Sequence, residues 1–292
     1  MFLLNSDRLR VEVAAPGEAP NNTCRFDRAG FVTEVTLDGA HRFCASEPHN
    51  LSHRCSGGRG ICNEYSCKTA DEAEVGGYFL KPGVGLFLKE ADEPYRFFQA
   101  YQMRPLDVKV TRDTDSSLLF ETPPSPCGGY ALRQQKRLTV EGNRLTVTVA
   151  LENAGDRAFE TGEYCHNFLT INGMALGPDY HLSIPSLADL GSGALEGHLK
   201  AEGSGFTFSE YRAGPAMHHM ERGAFALAER APLLWSLSNP SEGASVHVED
   251  HIRLGRATLW AADHIVSLET FHQISLQPGQ SDTWTRVWTF EA

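Results

Sequence analysis

Alternation of apolar and polar positions, not helical periodicity, organises this chain. The clearest run lies at residues 137–152, RLTVEGNRLTVTVALE. Leu138 and Val140 alternate with polar residues ahead of Glu141-Gly142-Asn143, and Leu145, Val147, Val149 and Leu151 alternate after it. Two such runs about a Gly-Asn turn predict an antiparallel hairpin with one wet face. Residues 9–13 also alternate, and Phe31–Leu37, FVTEVTL, carries β-branched residues at period two. The same reading predicts strands at 118–121, 233–238, 244–249, 258–260, 267–275 and 282–290. No long stretch combines a 3.6-residue apolar period with helix caps. The 27 glycines and 15 prolines punctuate the chain often, as short connected strands require.

The pattern predicts an all-β protein built as one large antiparallel β-sandwich, a single domain over residues 1–292. Two segments, 47–81 and 191–223, are rich in Gly, His and polar residues and read as long loops, where binding residues tend to sit. Hydrophobic residues make up 41%, enough for a sizeable core, and the 22% charged residues are spread evenly. A net charge of −11 without any Lys/Arg cluster argues against nucleic acid or an anionic membrane as partner. The first residues, MFLLNSDRLRVEV, hold a short apolar run without a cleavage site, and no apolar stretch is long enough to span a bilayer. The seven cysteines, among them Cys44, Cys55, Cys62 and Cys67, give no CxxC pair or zinc pattern. Reduced thiols in a cytoplasm are the expectation.

Three places hold candidate chemistry. In Glu163-Tyr164-Cys165-His166-Asn167-Phe168 a carboxylate and an imidazole lie close together after the strong hairpin; satisfied loop residues would read the same way. In Trp260-Ala261-Ala262-Asp263-His264-Ile265-Val266-Ser267-Leu268-Glu269-Thr270, Glu269 sits in an apolar, strand-like context, so it either faces solvent or is held by partners. Burial in a cleft would tune it as a base. Asp263 and His264 are a further pair or a turn. In Gly57-Gly58-Arg59-Gly60-Ile61-Cys62-Asn63-Glu64-Tyr65, glycines permit close backbone approach, Arg59 offers a planar fork of donors and Glu64 a bidentate acceptor. A tight turn with a surface arginine is the alternative. His218-His219 does not read as a metal site, because neighbouring strand residues point to opposite faces. No GxSxG elbow is present.

The residues after the hairpin resemble the aldose 1-epimerases and their galactose mutarotase-like relatives. Cys165-His166-Asn167-Phe168-Leu169 is similar to that family's N-H-x-Y-F-N-L segment, whose His is catalytic. Leu268-Glu269-Thr270, then Leu276-Gln277-Pro278-Gly279-Gln280 and the aromatic-rich 284–290, is similar to its L-E-T/P, L-x-P-G-E/Q and last strand. Order and spacing agree from about Leu138 to the end, and more loosely before it. The resemblance implies a β-supersandwich with an open sugar cleft. It also implies an isomerase that interconverts anomers by ring opening, with Glu269 as base, His166 as acid and no metal or organic cofactor. The two functional atoms are then expected several ångströms apart, spanning anomeric and ring oxygens. Arg59, Glu64, Glu163, Asn167, Trp260 and His264 are the expected sugar contacts.

The family's N-x-L-H-G-G motif has no good match here; that region carries Arg59, Glu64 and Tyr65, with His53 upstream. Glu163 also replaces a neutral residue. These departures point away from plain galactose or glucose, toward a cationic or otherwise decorated sugar. A non-catalytic sugar-binding or sensing module, or a lyase or hydrolase on the same scaffold, stays open beside the epimerase. The expected ligand is a small sugar, and a homodimer is left open.

Overall fold

A computed structural model describes residues 1–48, 57–190, 195–210 and 214–292. His53 and Cys55 lie outside the described residues. Three antiparallel sheets hold nearly all regular structure. The first runs β1 (Phe2–Asn5), β2 (Leu9–Ala14), β3 (Phe31–Leu37), β5 (Gly60–Tyr65), β13 (Phe159–Phe168), β21 (Ile265–Leu276), β20 (Leu254–Ala262) and β17 (Ala216–Glu221). The short β4 (His41–Arg42) pairs beside β3. The second begins β15 (Leu199–Ala201), β16 (Gly205–Phe208), β14 (His181–Ser183), β18 (Leu233–Asn239) and β19 (Ala244–His251). It continues β22 (Ser281–Glu291), β12 (Arg144–Asn153), β11 (Leu132–Glu141), β10 (Ser117–Thr122) and β9 (Lys109–Thr114). A small third sheet joins β6 (Tyr78–Lys81), β7 (Gly85–Leu88) and β8 (Met103–Pro105). The helices among the described residues are two single 3₁₀ turns, Lys68–Ala70 and Arg222–Ala224, and no helix is long and apolar enough to cross a membrane.

Each strand predicted from alternation is present, usually a residue or two longer at its ends. The hairpin is β11–β12, with Glu141 opposite Arg144 and Gly142 in the left-handed region at φ 54°. Burial alternates strictly along both strands, because one face packs on the first sheet and the other meets water; Gln134, Lys136 and Asn153 are the polar residues on the buried face. Between the large sheets, Val11, Val35, Leu138, Val149, Leu237, Val246, Leu259 and Leu268 are at most 1% exposed and belong to one continuous core. Each such side chain contributes about 1.5–3 kcal/mol through burial.

The two segments expected to be loops are partly strand. Residues 57–65 lead into β5, which pairs with β13 along its whole length and with β3 through Val32 and Ile61. Residues 199–221 contribute β15, β16 and β17. Strand β5 is buried on both faces, so its sequence GICNEY shows no wet-face alternation.

Candidate functional site

Strands β5, β13 and β21 lie side by side, and strict two-residue alternation sorts their side chains onto two faces. Tyr164, His166 and Phe168 of β13 share the outer face with Cys62 and Glu64 of β5 and Glu269 and Phe271 of β21. Glu163, Cys165 and Asn167, with Asn63, Tyr65 and Thr270, point between the sheets.

On the outer face His166 is the centre. Its side chain is only 4% exposed and carries a carboxylate at each ring nitrogen: Glu269 Oε1 lies 2.6 Å from Nδ1, and Glu64 Oε2 lies 3.0 Å from Nε2. The Glu269 approach is close but lacks the alignment of a hydrogen bond, so Nδ1 has no geometric hydrogen-bond partner. Arg25 reaches in from the loop between β2 and β3. Its Nε donates to Glu64 Oε2 at 2.7 Å, while its terminal nitrogen lies 3.1 Å from His166 Nε2. Tyr164 donates its hydroxyl to Glu64 at 2.7 Å, and Lys81 Nζ stands 3.5 Å from the other Glu64 oxygen. Glu47 faces the far side of Arg25 at 3.6 Å.

Aromatic rings wall the cluster. Phe168 stacks on the imidazole at 5.1 Å between centroids, Phe26 meets it edge-on at 5.3 Å, and Trp260 abuts Phe168 at 6.0 Å. Phe271 stacks on Tyr164 at 4.2 Å, and the Arg25 guanidinium lies 4.1 Å from the centroid of Phe97.

The electrostatics follow from these neighbours. Burial alone would lower the proton affinity of His166, but Glu269 and Glu64 outweigh both burial and Arg25, and its pKa is raised. Burial pushes Glu64 up, yet Arg25, Lys81 and the imidazole more than reverse it and hold the carboxyl far below its ordinary range. Burial raises the Tyr164 phenol, and the Glu64 carboxylate raises it further.

The sequence-predicted residues divide. His166 and Glu269 are brought together, but in direct contact at 2.6 Å instead of several ångströms apart. Trp260 joins the aromatic wall. Glu64 is in the cluster, where its Oε2 lies within hydrogen-bond distance of Arg25, Tyr164 and His166, Lys81 stands 3.5 Å from its other oxygen, and its side chain is 4% exposed. Glu163 and Asn167 point the other way, because odd-numbered positions of β13 face the interior. Glu163 is held by Arg286 at 2.8 and 3.0 Å and by Asn63, and Asn167 bonds the Leu268 carbonyl and the Trp288 indole. Arg59 is not brought into the cluster: its Nε donates to the Thr33 carbonyl at 2.9 Å. His264 lies with Asp263 in the β20–β21 turn, 2.9 Å from its carboxylate, and Asp263 adopts φ 57°, so the turn reading of that pair is the observed one. The basis for a cationic sugar goes with these placements, since Glu64 and Glu163 already have their cations.

Arg25, Lys81, Tyr164, Phe26 and Phe168 were not singled out from sequence. Arg25 sits in Cys24-Arg25-Phe26-Asp27-Arg28, immediately before the fully buried start of β3. Charges leading into a buried strand need buried partners, and that was the available signal. Among the described residues no group of three or more His, Cys, Asp or Glu is arranged to hold a metal ion. Arg25 and Lys81 occupy the positions around Glu64 that a cation would take.

Behind the site lies a second charge cluster, fully enclosed between the sheets. Arg286 joins Glu163 to Asp250, Lys136 joins Asp27 to Asn63, and Tyr65 and Gln134 close the chain at 2.6 Å. Arg286 Nε is 3.2 Å from Asp250 Oδ1 without hydrogen-bond alignment, so that contact is ionic only.

No protein-family profile and no curated protein matches the sequence. Solved structures do match, over essentially the whole chain. A candidate aldose 1-epimerase from Escherichia coli K12 superposes with a TM-score of 0.60 at 14% identity, covering 99% of this chain and 98% of its own. The fold is galactose mutarotase-like. A galactose mutarotase-like protein from Lactobacillus casei gives 0.59 at 11% identity with both chains covered completely. An aldose epimerase homologue from C. elegans gives 0.59 at 10%, over 99% of this chain and 98% of its own. At such identities the galactose mutarotase-like likeness concerns architecture, and the chemistry has to be argued from the side chains.

Proposed function

We propose that the His166 face binds a sugar and that the chain is an aldose 1-epimerase-type isomerase. The observation that carries this is one imidazole with raised proton affinity set 2.6 Å from a less deeply buried carboxylate, inside an aromatic wall. Glu269 takes the proton of the anomeric hydroxyl and His166 protonates the ring oxygen; the ring opens, the aldehyde rotates, and the reverse transfers close it on the other face. A hemiacetal has to enter between the two side chains. Glu269, at 13% exposure against 4% for His166, is the one free to swing outward, and sugar hydroxyls then replace the Glu269–His166 contact. The rings of Phe168 and Trp260 offer apolar surface for the C–H face of a pyranose.

The test is anomer exchange, followed by NMR or optical rotation over a panel of neutral, acidic and amino sugars. Glu269→Gln keeps the shape but removes the base, and His166→Asn removes the acid. Each is expected to lower the accelerated rate about 10²–10⁴-fold while sugar binding survives. Wild-type protein that binds a sugar without speeding its mutarotation would replace this reading with that of a binding module on the same scaffold.

A further inference from the structure

Strand β20 brings a further side chain to the outer face, and it does so through an irregularity. Leu254 pairs with His272 but Arg256 pairs with Phe271, so the register shifts by one residue at Gly255. A bulge of this kind reverses the alternation and re-aims the residues that follow it. A Cβ on residue 255 would press on the Gln273 side chain at 2.6 Å, so the position suits glycine. Leu254 belongs to the core between the sheets, whereas Arg256, Thr258 and Trp260 share the outer face with their β21 partners Phe271, Glu269 and Ser267. Three rows result, and neighbouring rows stand roughly 7 Å apart. Glu269 is in the middle row, with the rings of Trp260 and Phe168 to one side and the Arg256 guanidinium to the other. In the middle row too, His219 of β17 meets Thr258 Oγ1 at 3.0 Å.

Arg25 and Lys81, the cations nearest His166, are both committed to Glu64. Arg256 is not committed to any acid. Its guanidinium lies 3.9 Å from the centroid of Phe271, which stacks in turn on Tyr164 at 4.2 Å. Glu221 of β17 is its register partner and would be the ordinary ion-pair acceptor, yet the side chain turns away from it, over β21 and toward the site. Among the described residues no carboxylate pairs with Arg256 and no oxygen accepts a hydrogen bond from it. Stacking uses the flat face of the guanidinium and leaves its in-plane N–H groups open, in the fork that fits a carboxylate or a phosphate. We infer that Arg256 determines specificity by taking the acidic group of the substrate, so that the site serves an aldose bearing a carboxylate or phosphate away from its anomeric carbon. This rests on the function proposed above. With the anomeric centre at His166 and Glu269, the spacing of one row to Arg256 suits a pyranose ring with its exocyclic substituent. Arg256 reaches neither reacting oxygen, so it holds the sugar equally in the ground state and the transition state. Glu221 and Glu269 repel a negative charge on either side, which confines the anion to the edge of the guanidinium and makes the face no general anion-binding patch.

The experiment follows binding by calorimetry and mutarotation by NMR for neutral hexoses, hexuronates, hexose 6-phosphates and amino sugars. It uses the wild-type protein, Arg256→Met and Arg256→Lys. Met still covers Phe271 but carries no charge, and the exposed position lets the variant fold. The wild type is expected to prefer an acidic sugar to its neutral counterpart, and the two acidic arms tell a carboxylate from a phosphate. In Arg256→Met that preference should fall about 10–100-fold, the effect of losing a hydrogen bond to a charged group. For the acidic sugar the change should lie in KM and not in kcat, as loss of uniform binding requires. Arg256→Lys keeps the charge without the fork and should retain part of the preference. Added salt should weaken acidic-sugar binding to the wild type more than to Arg256→Met. A wild type that favours neutral or amino sugars, or an Arg256→Met protein that loses neutral and acidic sugars alike, overturns the inference. Acidic-sugar binding that depends on Arg256 without any mutarotation would end the isomerase reading and leave the anion site standing. Mutarotation confined to neutral sugars would do the reverse.

Discussion

Replacing Arg286 with Met tests the enclosed charge cluster most directly. Arg286 is 2% exposed and serves two acids, each 0% exposed: Glu163, at 2.8 and 3.0 Å, and Asp250, at 3.2 Å. Removing one partner of a buried ion pair costs about 3–5 kcal/mol. Here one cation is shared by two carboxylates, so the expected loss at pH 8 is at the upper end, about 5 kcal/mol, a large part of the roughly 5–15 kcal/mol that holds a typical domain folded. Asp250 already has a raised pKa, because burial outweighs Arg286 and its hydrogen bonds from Trp235 and Thr270. Without Arg286 that rise becomes larger. A group with its folded pKa raised adds stability that is complete below the unfolded value, about 4, and disappears as pH climbs through the folded value. The variant should therefore lie nearest the wild type around pH 4–5 and furthest from it at pH 8, the orphaned Asp250 adding up to about 1.4 kcal/mol per pH unit between its two values. Urea unfolding followed by tryptophan fluorescence is the assay; Trp235 donates to Asp250 at 2.9 Å and Trp288 to Asn167 at 3.0 Å, so the probes sit in the cluster. Arg286→Lys, which retains a charge, should be hurt less and serves if the Met variant does not fold. An Arg286→Met protein within about 1 kcal/mol of wild type at pH 8, or equally destabilised at every pH, would refute the reasoning.

The raised His166 pKa moves the loss of the acid to higher pH than an ordinary imidazole gives: mutarotation should fall as pH rises through that pKa, and a rate that instead climbs there would contradict His166 as donor. Phe168→Ala removes a ring 2% exposed that stacks on His166 and abuts Trp260, and calorimetry should show a loss of about 3–5 kcal/mol together with weaker sugar binding. Burial raises the thiols of Cys44, Cys62 and Cys165, so Ellman's reagent at pH 8 should reach them only after unfolding; fast labelling of these three in the native protein would contradict their enclosure. Limited proteolysis should nick the chain within 47–81 or 191–223 without releasing a stable half, and two independently folded fragments would show that residues 1–292 are not one domain.

Sequence legibility followed the wetness of each strand. Strands β12, β18, β19 and β22 have one face in water and their limits could be read closely, whereas β11 was legible only from Arg137 on, because Gln134 and Lys136 put polar groups on its covered face. Strands β5 and β13 place polar groups on both faces, and both faces are covered along β5 and from Cys165 to Phe168 of β13. GICNEY and FETGEYCHNF show no period because Asn63 and Glu163 have interior cations, while on the outer face Glu64 has a cation and His166 has carboxylates. The centre of the candidate site therefore lay in the least legible strands. His166 and Glu269 were candidates from their own sequence contexts and took their roles from motif resemblance, whereas parity, once the strands are known, would have separated His166 from Glu163 and Asn167. Arg25 and Lys81 come from other parts of the chain and carry no local signal that they converge on Glu64.

The two-faced arrangement of β5 and β13 also limits how this chain can change length. Adding or deleting one residue inside either strand would turn every later side chain over. In β5 that would carry Asn63 out to the imidazole and press Glu64 against Lys136; in β13 it would turn His166 between the sheets and Glu163 to the outer face. Substitutions can be absorbed one at a time, but a single inserted codon within these strands dismantles the outer cluster and the enclosed one together. Length variation among chains that keep this chemistry should thus be confined to the connections, with 60–65 and 159–168 constant in length even where hardly a residue is shared.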